Sequence, residues 1–102
     1  MTLHICNKSP TESSALQSCL AVACSGSGNA VLLIEDAVYA ALPALEKSLD
    51  LRDEIANTEL YALKDDLKAR GLESSLASYI TAIDYADFVQ LCVDHSNSHS
   101  WY

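Results

Sequence analysis

The chain has 102 residues, half of them hydrophobic, with 14 acidic against 6 basic side chains and a formal net charge of −8. That size predicts one domain over residues 1–102, and the hydrophobic fraction excludes a disordered chain or a secreted mini-protein. The basic residues Lys8, Lys47, Arg52, Lys64, Lys68 and Arg70 are scattered. Nucleic-acid affinity rests on neutralising phosphates with Lys and Arg, so direct binding to tRNA or DNA is not expected.

The N-terminus shows no basic region followed by an apolar run and a cleavage site. The apolar run Ala30 to Ile34 is far too short to span a membrane. A cytoplasmic protein with no membrane contact is expected. The four cysteines, Cys6, Cys19, Cys24 and Cys92, form neither a C-x-x-C pair nor a zinc spacing. In a cytosolic chain they read as four free thiols.

In chain order, Thr2 to Cys6 reads as a first strand. Ser9-Pro10-Thr11-Glu12 is a helix start: Ser9 suits the N-cap, Pro10 the first helical position, and Glu12 closes a capping box. The helix runs to about Ala23, with Leu16, Cys19, Leu20 and Ala23 on one apolar stripe. Ser25-Gly26-Ser27-Gly28 ends it. Ala30 to Ile34 suits a strand buried on both faces, as in a parallel sheet. Glu35-Asp36 start a second helix through Val38, Tyr39, Ala41 and Leu42, which Pro43 ends or bends. Residues 44–57 fit either a further helix or an irregular excursion.

Glu59 to Leu63 reads as a third strand, Lys64 to Arg70 as a short helix stopped by Gly71, and Tyr79 to Ile83 as a fourth strand. Asp84 to Val93 reads as the last helix, with Phe88, Val89, Leu91 and Cys92 apolar. The tail from His95 is polar until Trp101-Tyr102. These terminal aromatics are expected to be anchored against this domain or a partner. Alternating strands and helices predict an α/β fold: a three-layer α/β/α sandwich with a mainly parallel sheet of about four to five strands.

The candidates for chemistry are few. Gly26-Ser27-Gly28 follows a helix and precedes a strand, the reverse of a phosphate-cradling loop, and reads as a turn. His95 and His99 would share a helical face, but Ser96-Asn97-Ser98 are poor helix formers and no third ligand has suitable spacing. No metal and no cofactor is expected. Asp65 and Asp66 are adjacent, so they do not face each other as an acid–base pair. They suit the first turn of a helix, and Asp66 pairs naturally with Arg70. Cys24 lies near a helix C-terminus, where the dipole opposes a thiolate. Cys19 lies on the apolar stripe, the usual place of a small buried hydrophobe.

Several blocks together resemble the DsrH/TusB family. They are Leu3-His4 followed by Asn7-Lys8-Ser9-Pro10, then Leu32-Leu33-Ile34-Glu35-Asp36-Ala37-Val38-Tyr39-Ala40-Ala41. The third is Tyr61-Ala62-Leu63-Lys64-Asp65-Asp66-Leu67-Lys68-Ala69-Arg70-Gly71. The last is Ile83-Asp84-Tyr85-Ala86-Asp87-Phe88-Val89, with His95 and Trp101 beyond it. One departure is Ala37, where a glycine is usual after the acidic residue.

The resemblance implies a DsrE-like fold and a subunit that is not an enzyme by itself. The complex it implies is a sulfur-relay heterohexamer, a dimer of trimers. Its other members would be a DsrE/TusD-like and a DsrF/TusC-like subunit, with a DsrC/TusE-like protein as downstream sulfur acceptor. In the TusBCD version persulfide sulfur goes towards 2-thiouridine in tRNA, and in the DsrEFH version it serves sulfur oxidation. The main sulfur-accepting cysteine lies on another subunit in both. A cysteine at the position of Cys19 is typical of DsrH-type members, which makes Cys19 the candidate sulfur carrier of this chain. The competing expectation is a stand-alone ligand-binding or regulatory α/β domain, with its pocket at the C-terminal ends of the strands.

Overall fold

The structure is a computed structural model, and it describes residues 2–7, 18–19, 22–23, 29–41, 58–72, 74–77, 80–95 and 97–101. Five strands form one sheet: β1 (Thr2–Cys6), β2 (Ala30–Leu33), β3 (Glu59–Leu63), β4 (Ile80–Ile83) and β5 (Asn97–Trp101). Their order is β4-β3-β2-β1-β5, and every neighbouring pair is parallel. The first four strands are laid side by side in chain order. The chain then crosses the sheet and adds β5 outside β1.

β2 is the central strand and all four of its residues are buried. This is the burial expected for an unbroken apolar run in a parallel sheet. Its alternate residues serve two separate cores. On one face Val31 and Leu33 pack with Cys6, Cys19, Ala23, Ala37, Val38, Ala62 and Leu67. On the other, Ala30 and Leu32 pack with Leu3 and Ile83, and with half-buried Ile5, Phe88 and Leu91. Each fully buried Leu, such as Leu3, Leu32, Leu33 or Leu67, contributes about 1.5–3 kcal/mol of transfer free energy.

Helical segments therefore lie on both faces, which makes the three-layer α/β/α sandwich. Ser18, Cys19, Val22 and Ala23 are helical; Cys19 and Ala23 point into the core while Ser18 and Val22 are exposed. This is the i, i+4 stripe expected from the sequence. Leu16, Leu20 and the Ser9–Glu12 start lie outside the described residues, as do the Gly26–Gly28 turn, Pro43, residues 44–57 and Tyr79. Asn29 ties the end of this segment to the sheet. Its Oδ1 accepts from the Thr2 amide at 2.9 Å and its Nδ2 donates to the Ala23 carbonyl at 3.1 Å.

Helix α1 (Lys64–Ala69) follows β3 without a loop. Asp65 and Asp66 occupy its first turn, where the helix dipole favours negative charge. At its end the Leu72 amide donates to the Leu67 carbonyl at 2.9 Å and the Gly71 amide to the Lys68 carbonyl at 3.1 Å. Gly71 has φ of +67°. The pattern is a Schellman cap, which needs a left-handed residue and so favours glycine. Helix α2 (Tyr85–Asp94) follows β4. Asp84 is its N-cap and not its first residue: the carboxylate accepts from the Asp87 amide at 2.9 Å.

Two segments add to the sequence expectation. The helix expected after β2 is present, and it is a 3-10 helix, Glu35–Ala41. Glu35 adopts φ of +50°, and the Ala37 amide donates to the Ile34 carbonyl, three residues back, at 3.0 Å. The tight entry imposes the narrower helix. Ala37 itself is fully buried against the sheet, so the left-handed residue of this turn is Glu35, two positions before Ala37. The polar tail is the second such segment: it is strand β5. Asn97 to Ser100 are exposed, and an edge strand hydrogen-bonded on one side needs no hydrophobic alternation, so its pattern was silent.

Candidate functional site

Cys19 is wholly buried and belongs to the core cluster that contains Cys6. Burial, with a smaller contribution from the Cys6 thiol, pushes the Cys19 thiol up to about 12 from an ordinary 9.0. At neutral pH its thiolate fraction is then roughly 10⁻⁵. A sulfur nucleophile needs thiolate character and access, and the closed chain supplies neither at this position. Cys6 is equally buried, and Cys92, on α2, is exposed. Cys24 lies outside the described residues.

The carboxyl ends of the strands converge on a charged cluster. Asp66, in the first turn of α1, accepts from the Glu35 amide at 2.9 Å through Oδ2. That bond holds the left-handed Glu35 at the end of β2. Arg70 bridges the cluster: its Nε and Nη2 donate to Asp36 Oδ1 at 3.2 and 2.9 Å, and its Nη1 lies 3.7 Å from Asp66 Oδ1. The Asp66–Arg70 pair expected from the i, i+4 spacing is present, and Arg70 spends its closer contacts on Asp36. Asp65 is exposed and does not join them. The cluster is a clasp between the 3-10 turn and α1, in which the Glu35 amide and Arg70 engage the carboxylates of Asp66 and Asp36. At the end of β1, the Asn7 Oδ1 is buried and has no hydrogen-bond partner among the described residues.

The structure separates His95 from His99. His95 is the C-cap of α2, with Nδ1 2.8 Å from the Leu91 carbonyl oxygen, whereas His99 sits in β5. The pair shares no helical face, in keeping with the poor helix formers between them. His99 instead faces His4, a pairing that no spacing in the sequence reveals, because it depends on β5 lying beside β1. Among the described residues no three His, Cys, Asp or Glu side chains are grouped to hold a metal ion. No helix among them is long and apolar enough to cross a membrane.

A five-stranded parallel sheet with its last strand laid outside the first, and helices on both faces, defines a three-layer α/β/α domain. The ychN protein from Escherichia coli shares the fold with a TM-score of 0.81 at 17% identity over 97% of each chain. The MTH1491 protein from Methanobacterium thermoautotrophicum shares it with a TM-score of 0.69 at 12% identity, over 97% of this chain and 96% of that one. In sequence, the chain is 39% identical to protein TusB of Escherichia coli O81 (strain ED1a) over 101 residues, 97% of this chain and 99% of the relative. Protein TusB of Salmonella dublin is 39% identical over 74 residues, 72% of this chain and 76% of the relative. The family described as DsrH like protein matches residues 8–98. The chain belongs to the DsrH/TusB family. That membership supports a sulfur-relay subunit and implies a complex with related small subunits.

Proposed function

We propose that this chain is the DsrH/TusB-type subunit of a cytoplasmic persulfide-relay heterohexamer, a dimer of trimers. Its partners would be a DsrE/TusD-like and a DsrF/TusC-like subunit, with a DsrC/TusE-like protein receiving the sulfur. The observation that carries the reading is the 39% identity to TusB along essentially the whole of both chains. The relay would end in tRNA 2-thiolation, as the TusB relatives favour. The charge of −8 and the scattered basic residues oppose direct tRNA contact, so the chain would reach tRNA only through its partners.

Cys19 as a sulfur carrier is a narrower proposal. The family resemblance supports it, and full burial with a thiol pushed to about 12 stands against it. The role that fits this environment is a packing residue, with the carrier thiol supplied by another subunit.

Co-expression with the two related subunits, followed by native mass measurement, tests the assembly. A mixed complex is expected, and its absence would remove the proposal. Replacing TusB by this chain in a TusB-deficient Escherichia coli strain tests the pathway. Restored 2-thiouridine is expected, and its continued absence beside an intact mixed complex would point to sulfur oxidation.

A further inference from the structure

Strand β5 is held to the sheet mainly by its backbone. Among the described elements it packs extensively on β1 alone. Asn97, Ser98, His99 and Ser100 are polar and exposed, so these four add no apolar burial to the ladder. The central strand differs, since every residue of β2 is buried. An edge element with an exposed ladder and few buried apolar contacts opens locally at a lower free energy than the core beside it. One side chain on β1 makes that opening depend on protons. His4 is 4% exposed and is the one buried polar side chain among the described residues. It stands between Val31 of β2 and His99 of β5, its register partners on either side. The rings of His4 and His99 lie 6.3 Å apart between centroids.

Side chains alternate along β1, so His4 shares a face with Cys6 and lies opposite Leu3, whose core includes Phe88 and Leu91 of α2. The described titratable groups on the His4 face are His99 from β5, Cys6 from β1 itself and Cys19 from the helical residues Ser18, Cys19, Val22 and Ala23. From β2 that face receives only apolar Val31 and Leu33. The charged groups of the 3-10 turn and of α1 pack with their elements on β2 and β3. Asp84, Asp87 and Asp94 belong to α2 and its cap, on the other side of the sheet. With β5 in place, a proton on His4 is a charge shut away from water beside a second imidazole. With β5 withdrawn, β1 becomes the edge and the same ring meets water on that side.

We propose that the His4–His99 pair is an acid-sensitive latch: proton uptake at the pair releases β5 from the edge of β1 while β2, β3 and the cores they carry stay folded. Burial first, and His99 second, lower the pKa of His4 from its ordinary 6.5 in the docked state. The undocked chain therefore binds a proton that the docked chain excludes. Attachment of β5 is complete above about pH 6.5 and weakens as pH falls from there through the lowered value. Opening of β5 is the cheaper event, so it precedes loss of the whole fold as acid is added.

Native-state hydrogen exchange of the full chain, at low urea and between pH 7.5 and pH 5, tests the latch, with rates normalised to the intrinsic rate at each pH. Amides of β5 should exchange through an opening that urea scarcely promotes, because it exposes little surface. Amides of β2 should exchange through one that urea promotes steeply. Below pH 6.5 the protection of β5 should fall by up to about tenfold per pH unit, the slope of one proton taken up on opening. His4→Gln should remove that slope. His99→Gln, at an exposed position, should keep the fold and reduce the total fall. Protection of β5 that shares the urea dependence of β2, or that holds steady across the pH range, would overturn the proposal. So would a fall of wild-type size in folded His4→Gln. Should that variant fail to fold, an undiminished fall in His99→Gln overturns the latch by itself.

Discussion

His4 and His99 are register partners across the β1–β5 ladder, with ring centroids 6.3 Å apart and planes inclined by 57°. His4 is buried and His99 is exposed. Burial, and secondarily the charge of His99, lowers the pKa of His4 from its ordinary 6.5. The unfolded chain therefore binds a proton at position 4 at a higher pH than the folded chain does. Stability is fully present above about pH 6.5 and is lost as pH falls from there through the lowered folded value. Urea unfolding between pH 8 and pH 5 should show this acid-side loss, and His4→Gln should flatten it. An unchanged slope in that variant would place the acid sensitivity elsewhere.

Thiol reactivity should divide the cysteines by burial. Cys92 should react with iodoacetamide at pH 7.5 in the free chain, while Cys19 and Cys6 should react only as the chain unfolds. Because the folded Cys19 thiol stands at about 12 against 9.0 ordinarily, its contribution to stability is complete below pH 9 and is lost as pH rises from 9 through 12. Cys19→Ala should remove that alkaline loss and cost about 1–2 kcal/mol at neutral pH through the cavity it leaves. Rapid labelling of Cys19 in the native chain would contradict its sealed position.

Gly71→Ala should cost about 1 kcal/mol in chemical denaturation. A Cβ at this position meets nothing within 4 Å, so the loss comes wholly from φ of +67° in the cap of α1. Gly71→Asn should cost less, since asparagine tolerates the left-handed region. Equal losses for both would show that backbone conformation is not the cause.

Asp66→Ala should destabilise by about 1–2 kcal/mol, since it frees the Glu35 amide and one side of Arg70 together. Asp66→Asn should recover much of this, because the amide oxygen can still accept from Glu35. The partly exposed ion pair with Arg70 contributes little alone. Melting temperatures of the two variants separate the hydrogen bond from the charge.

Much of the framework was legible because local signals and tertiary environment agree. Thr2–Cys6 and Glu59–Leu63 match β1 and β3 residue for residue, and Ala30–Leu33 is the buried centre that its unbroken apolar run announces. Gly71 and Asp84 mark helix ends by the conformation or side-chain bond each supplies. The resemblance at Leu32–Ala41 and Tyr61–Gly71 carried the family, and comparison with TusB relatives bears it out. Cys19 was visible as a thiol on an apolar stripe, but periodicity carries no depth, and only packing against Cys6, Ala23 and Val31 seals it.

The sequence by itself determined the strands and helices whose side chains must be buried, since hydrophobic period and capping chemistry act within a few residues. The tertiary structure alone decided what depends on distant neighbours. It made Asn97–Trp101 a strand, because β1 offers that segment a ladder of backbone partners and no side-chain pattern is needed on an exposed edge. It set His99 beside His4. It left Tyr85, Val89 and Val93 uncovered, because whether an apolar residue on a helix is core or contact surface depends on which elements the fold brings over it.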